Sequence, residues 1–269
     1  MPISKLFVEG ALDLQVLASV FNGEPLLQKG GSKNALKPRT RTERKENGTA
    51  AGYLRDRDFD FDPPERMDSP TVDFEDGGVH AGWRWCRHEI ENYLLEPALV
   101  AEATEWPVSE YEDALRSAAK SIRIYEAGRW TVGVVRRSLP PQYDLQTRPD
   151  GLNEIALPDT LDRSIFDGWV RRTVAAHRGR IDRATSTSNV AELFESFSAR
   201  FDGITEIPDI LLWFSGKDIL AGLSQWLGNK GMSNGGEFRA ELREWIITNP
   251  ERTLDLLPEW KALLESVRA

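Results

Sequence analysis

The sequence predicts an α/β chain with a largely parallel sheet flanked by helices, followed by a mainly helical module. Two observations predict it. Through the first hundred residues, short apolar runs alternate with stretches of helical periodicity, and apolar runs stop abruptly at charge, as buried strands do where they reach the surface. After Pro97 helical patterns dominate. The expected divisions are residues 1–99 for the α/β core, 100–205 for the helical module, and 206–269 for a segment that returns to the core and adds C-terminal helices.

Composition sets the bounds. A chain of 269 residues with 40% apolar content can bury a sizeable core. No apolar run has the length of a membrane span, so no membrane partner is expected. The start, Met1-Pro2-Ile3-Ser4-Lys5, has no long apolar region before a small-residue cleavage site, so no export signal is expected. The single cysteine, Cys86, excludes an internal disulfide and a multi-cysteine zinc site and fits a reducing, cytoplasmic setting. A net charge of −9 argues against a protein that coats nucleic acid, though not against an enzyme that grips it locally. The nine tryptophans are scattered and read as core.

Lys5 to Val8 is the first strand and ends in Glu9-Gly10. Leu12, Val16, Leu17 and Val20 then fall at helical spacing, and Asn22-Gly23 stops the helix. Glu9 at the strand exit and Asp13 in the first helical turn can point at one spot; Asp13 equally complements the helix dipole. Glu24 to Gln28 is a second short strand. Gly30-Gly31 before Ser32 can expose backbone N–H groups to an anion, a signal far short of a P-loop. From Lys33 to Lys45 the chain is basic, with Lys33, Lys37, Arg39, Arg41, Arg44 and Lys45 against Glu43 and Glu46. In an acidic chain this reversal suggests phosphate binding, although a charge run is usually a solvated face.

Thr49 to Leu54 is the next strand and runs into Asp56, Asp58, Asp60 and Asp62. Carboxylates crowded at a strand exit stay ionised together cheaply only with a cation between them, and Mg²⁺ takes oxygen ligands. A solvated acidic loop ahead of Pro63-Pro64 is the plainer alternative. Residues 63–78 read as loop. Val79 to Cys86 is a strand, and Arg87 to Leu95 is helical until Pro97. His88 sits at that element boundary, where a histidine is more often hydrogen-bonded structure than a metal ligand. Glu91 opens the helix near a strand exit, where a catalytic acid or a dipole partner both fit. In parallel sheets ligands bind beyond the carboxyl ends of the strands, where Glu9 and the Asp56/Asp58 pair both lie.

Beyond Pro97, helices are expected over Ser109 to Ala127, Ile165 to Arg178 and Asn189 to Phe201, with a Pro-rich loop over 138–160. Ile210 to Phe214 reads as a strand that rejoins the sheet. Gly216-Lys217-Asp218 follows and opens a helix through Leu227. Two helices separated by Asn249-Pro250 fill Glu237 to Val267. There is no internal repeat.

These residues resemble a known family. Phe7-Val8-Glu9-Gly10 with Asp13 resembles the first motif of Toprim domains, and Leu54-Arg55-Asp56-Arg57-Asp58 resembles their Asp-x-Asp motif. Gly30-Gly31-Ser32-Lys33-Asn34 resembles the glycine-rich turn after the second strand. Ile90 to Leu95 and Gly216-Lys217-Asp218 resemble later motifs of Toprim nucleases of the OLD (overcoming lysogenization defect) type. The nearest resemblance is to the Toprim effectors paired with an ABC-type ATPase in PARIS-like anti-phage defence. The resemblance implies metal-assisted phosphodiester hydrolysis. Glu9, Asp56 and Asp58 would hold Mg²⁺ or Mn²⁺, with Asp13, Asp60 and Glu91 supplementing, and Lys217 would act in catalysis beside them. Lys33, Lys37, Arg39 and Arg41 would contact nucleic acid, DNA or RNA, by its phosphates. No P-loop is present, so the ATPase would be a separate chain; a homodimer is compatible with this scheme. The competing class is a non-catalytic Toprim-like subunit that binds the ATPase. A third class is a domain that uses metal only for stability.

Overall fold

The computed structural model describes residues 2–74, 78–140 and 163–269, apart from the side chain of Phe166. Two compact units emerge. One comprises the chain up to Glu126 together with Asp202–Ala269; the other is Ala127–Phe201.

The first unit is built on a five-stranded sheet. Its strands are β1 (Lys5–Val8), β2 (Leu26–Lys29), β3 (Ala51–Arg55), β4 (Thr71–Phe74) and β5 (His80–Arg84), in the order β2-β1-β3-β5-β4. β1 pairs in parallel with β2 and β3, β3 pairs in parallel with β5, and β4 alone is antiparallel. Leu6, Phe7, Val8, Ala51 and Leu54 are wholly buried, which is why these strands read as continuous apolar runs rather than alternating ones.

Helix α1 (Ala11–Phe21) links β1 to β2, and α2 (Lys33–Asn47) links β2 to β3. The first crossover leaves β1 toward one edge of the sheet and the second returns past it. Right-handed connections therefore place α1 and α2 on opposite faces. The carboxyl ends of β1 and β3 become a topological switch point, the place where ligands enter open α/β sheets.

The remaining helices are α3 (Glu91–Leu94), α4 (Pro97–Thr104), α5 (Val108–Ser138), α6 (Arg163–Ala184), α7 (Thr187–Gly203), α8 (Ile207–Trp213), α9 (Gly216–Gly222), α10 (Ser224–Asn229), α11 (Gly235–Thr248), α12 (Pro250–Leu256) and α13 (Pro258–Arg268). The second unit holds the latter part of α5 with α6 and most of α7, and Trp130 stacks on Phe197 within it at 5.6 Å.

Several expectations are corrected. Ile210 to Phe214 is not a strand: it lies in α8 and the extended link after it, and Pro208 occupies the first turn of that helix. A five-residue apolar run carries no period that separates buried helix from buried strand. The stretch 63–78 contains β4, an edge strand half exposed through Val72 and Phe74 and secured by an Arg84–Asp73 ion pair at 2.9 Å. Regular helix between Arg87 and Leu95 is confined to α3. The helix expected through Leu227 is two, α9 and α10, and the C-terminal stretch holds three, because Pro250 and Pro258 each start a new one. From residue 141 the loop expected over 138–160 lies outside the described residues. Among the described residues no helix is long and apolar enough to cross a membrane.

Candidate metal centre

Three strand exits deliver acids to one edge of the sheet. Glu9 follows β1, Asp56 and Asp58 follow β3, and His88 and Glu89 follow β5. Asp13 comes from the first turn of α1, where its Oδ2 accepts the Gly10 N–H at 3.1 Å.

The loop after β3 is held by Arg57. Its buried guanidinium donates to the carbonyls of Cys86 (2.8 Å), Phe61 (2.9 Å) and Leu212 (2.5 Å), tying the loop to the β5 exit and to α8. Asp58 has a left-handed backbone, φ 48°, and donates its N–H to the His88 carbonyl at 2.9 Å. The segment after β5 is held from behind by Glu259 of α13, which accepts the Cys86 N–H at 2.8 Å and the Tyr93 hydroxyl at 2.5 Å.

Asn92 completes the scaffold. Its wholly buried amide donates to the Leu211 and Phe214 carbonyls at 2.9 and 2.8 Å and accepts from the N–H groups of Glu89 and Gly216 at 3.2 and 3.1 Å. Gly216 has to be glycine here: a Cβ would lie 2.7 Å from the Asn92 nitrogen and 2.8 Å from the Glu91 Cβ. Ser215 caps α9, and its hydroxyl donates to Glu89 Oε1 at 2.8 Å. By this route, and without a returning strand, Lys217 reaches the acids. Its backbone N–H bonds Glu89 Oε1 at 2.9 Å, its ammonium pairs with Glu89 Oε2, and Glu91 Oε2 lies 3.5 Å away. Arg239 of α11 takes the other Glu91 oxygen at 3.0 Å.

The electrostatics are those of crowded carboxyls. Burial is the main reason the Asp13 carboxyl is raised from 3.8 to about 6, and the nearby Glu91 and Glu9 charges push it the same way. Asp56 is raised well above its ordinary value by burial first and then by Asp13, Asp58, Glu9 and Glu89. Glu9 is raised by burial and by Asp58. For Lys217, burial disfavours the charge, but Glu89 and Glu91 more than offset it and hold the ammonium protonated. Two buried oxygens, Asp56 Oδ1 and Glu9 Oε2, have no hydrogen-bond partner among the described residues. Buried acceptors of that kind are costly unless something positive satisfies them.

The site residues read from the sequence thus fall into three sets. Glu9, Asp13, Asp56, Asp58, Glu91 and Lys217 come together. Asp60 is held by cations, its Oδ2 bound by Lys33 at 2.6 Å and by Arg55 at 3.3 Å. In the basic set, Lys33 bridges Asp58 (2.9 Å) and Asp60, Lys37 bonds the Phe74 carbonyl and Arg39 the Lys29 carbonyl, while Arg41 is exposed on α2.

Sequence reasoning missed Glu89 and set His88 aside. Asp58, His88 and Glu89 each offer a donor atom, and the three atoms lie within 4.8 Å of one another. Among the described residues no other trio of acids, histidines or cysteine is that tight. The residue types fit a divalent cation: carboxylates and one imidazole, with further acid oxygens beside them. A groove of about 260 Å³ lined by Lys217, Leu220, Ala221, Ser224, Gly235, Gly236 and Arg239 opens alongside.

A comparison with protein-family models finds none that matches the chain, and one with curated proteins finds no significant match.

Proposed function

We propose that this chain hydrolyses phosphodiester bonds in nucleic acid with a divalent metal, Mg²⁺ or Mn²⁺, held at the acid centre. The observation that carries the reading is the meeting, at one topological switch point, of buried acid oxygens without partners among the described residues, the Asp58–His88–Glu89 trio and an ammonium. The order and spacing of Glu9-Gly10, Asp56-x-Asp58 and Gly216-Lys217 support a Toprim-like nuclease of the OLD type. Asp58, His88 and Glu89 would hold the metal, with Glu9, Asp13 and Asp56 flanking it; Glu91 serves instead to fix Lys217 and Arg239. Bound there, the metal supplies an activated water and a clamp on the phosphate oxygens. Lys217 is anchored on its inner side and faces the groove, so it can stabilise charge that develops on the phosphate. Arg239 shares the groove and would hold a neighbouring phosphate. Lys33 helps to neutralise the acids, and Lys37, Arg39 and Arg41 on α2 would contact the strand by its phosphates.

The resemblance further suggests an anti-phage effector switched by a separate ABC-type ATPase. The test is cleavage of single- and double-stranded DNA and RNA by the purified chain with Mg²⁺ or Mn²⁺, alone and with the ATPase. Metal-dependent cleavage supports the reading. Metal binding without cleavage under every condition favours the non-catalytic subunit.

A further inference from the structure

We infer that His88 ligates the metal through an imidazole nitrogen, alongside Asp58 and Glu89, and that this biases the centre toward Mn²⁺ over Mg²⁺. The inference rests on the metal-dependent reading above and goes beyond its set of oxygen ligands.

Its ground is local geometry. The donor atoms of Asp58, His88 and Glu89 lie within 4.8 Å of one another, a span that ligands at roughly 2.0–2.6 Å from one ion can share. The residues are fastened together. The Asp58 N–H bonds the His88 carbonyl at 2.9 Å, and Glu89 follows His88 directly in the chain. The His88 ring is 1% exposed and meets Phe59 edge-to-face at 4.4 Å, so its orientation is set by packing rather than by solvent. Phe59 directly follows Asp58, so the segment that supplies one ligand also carries the ring that aims another. Close by, Asp56 is 9% exposed and its Oδ1 has no partner among the described residues, and Asp56 feels the charges of both Asp58 and Glu89. That unsatisfied oxygen points to a cation independently of the trio.

Chemistry then decides which cation. Mg²⁺ is a hard ion that binds oxygen and gains little from imidazole, whereas Mn²⁺ accepts carboxylate and imidazole together. Glu89 already accepts from Ser215 and Lys217. Oε1 takes both the Ser215 hydroxyl and the Lys217 N–H, whereas Oε2 takes the Lys217 ammonium and keeps a second lone pair, so these contacts orient Glu89 and leave Oε2 able to reach the ion.

The experiment is Mn²⁺ binding by the full chain, read by electron spin-echo envelope modulation and by calorimetry. The chain has three histidines, so selective ¹⁵N-histidine labelling asks whether histidine nitrogen is bound without altering the fold. The expected result is a ¹⁴N coupling that converts to ¹⁵N on labelling, persists when His80 and His177 are both replaced by Asn, and disappears in His88→Asn. Calorimetry should show Mn²⁺ bound about tenfold or more tightly than Mg²⁺, a preference that shrinks in His88→Asn. Bound Mn²⁺ without histidine nitrogen coupling overturns the inference and leaves the nuclease reading standing. No Mn²⁺ or Mg²⁺ binding at all overturns both.

Discussion

Replacing Asp13 with Asn should stabilise the metal-free protein, an unusual outcome for a buried charged residue. Asp13 is 4% exposed, and its carboxyl is raised from 3.8 to about 6 by burial and by Glu91 and Glu9. A carboxyl whose folded pKa lies above its unfolded one binds more protons in the folded state. It is neutral toward stability below about pH 4, where both states are protonated, and it costs stability increasingly as pH rises to about 6, with the full cost present above that. The displacement is about two pH units, at about 1.4 kcal/mol each, so the cost above pH 6 is on the order of 3 kcal/mol. Asn keeps the Oδ acceptor for the Gly10 N–H but loses the interaction of a carboxylate with the α1 N-terminus, worth about 0.5 kcal/mol. The net gain is about 2 kcal/mol at pH 8, or roughly 4–8 °C in Tm for a chain of this size. The assay is calorimetry in EDTA at pH 8 and pH 4.5. The gain should be present in full at pH 8 and about half as large or less at pH 4.5, where the folded Asp13 is protonated but the unfolded carboxyl is still mostly ionised. Equal gains at both pH values, or no gain at pH 8, would show that Asp13 does not carry the cost that burial and the neighbouring acids place on its charge.

Three further outcomes follow from the same scaffold. Lys217→Met should reduce turnover about 100-fold or more while metal binding stays level or tightens, because the ammonium competes for Glu89; turnover kinetics beside calorimetry would separate the two effects. Gly216→Ala should cost about 1–3 kcal/mol in urea unfolding and lower turnover as well, since the new Cβ pushes Lys217 away from Asn92 and Glu91. Arg57→Met should cost about 2–4 kcal/mol, because the buried carbonyls of Cys86 and Leu212 and the partly buried one of Phe61 lose their donors; a change under about 1 kcal/mol would show that water or relaxation replaces it.

The half of the site nearest the N-terminus was legible in the sequence because β1 and β3 are mostly buried apolar runs that lead straight to an acid. Glu9 and Asp56 announce themselves in that way, and Asp13 follows from the start of the next helix. Glu89 and His88 were not legible. They matter because β5 pairs beside β3, and that neighbour relation is a property of the sheet order, invisible from residues 87–95 themselves. Lys217 meets Glu89 and Glu91 without the returning strand that was expected. The apolar run before it is helical, and a buried Asn92 amide, a residue with no local signal, performs the docking that a strand would have performed. β4 escaped notice because an edge strand of four half-exposed residues has too little apolar content to stand out among acids and prolines. In the basic stretch, Lys33, Lys37 and Arg39 bond groups of their own chain, which residue type alone could not reveal.

We propose that the acids around Asp56 hold a metal that performs phosphodiester hydrolysis. It is tested most directly by the Mn²⁺-dependent cleavage rate of the wild-type chain against Asp56→Asn, on one labelled nucleic acid that the wild type cuts, with folding of both proteins checked by calorimetry. Asp56→Asn should fold at least as stably in EDTA, because one carboxyl leaves a repelling cluster, and its cleavage should fall to background. Cleavage by Asp56→Asn at the wild-type rate, with the same metal dependence, would contradict it.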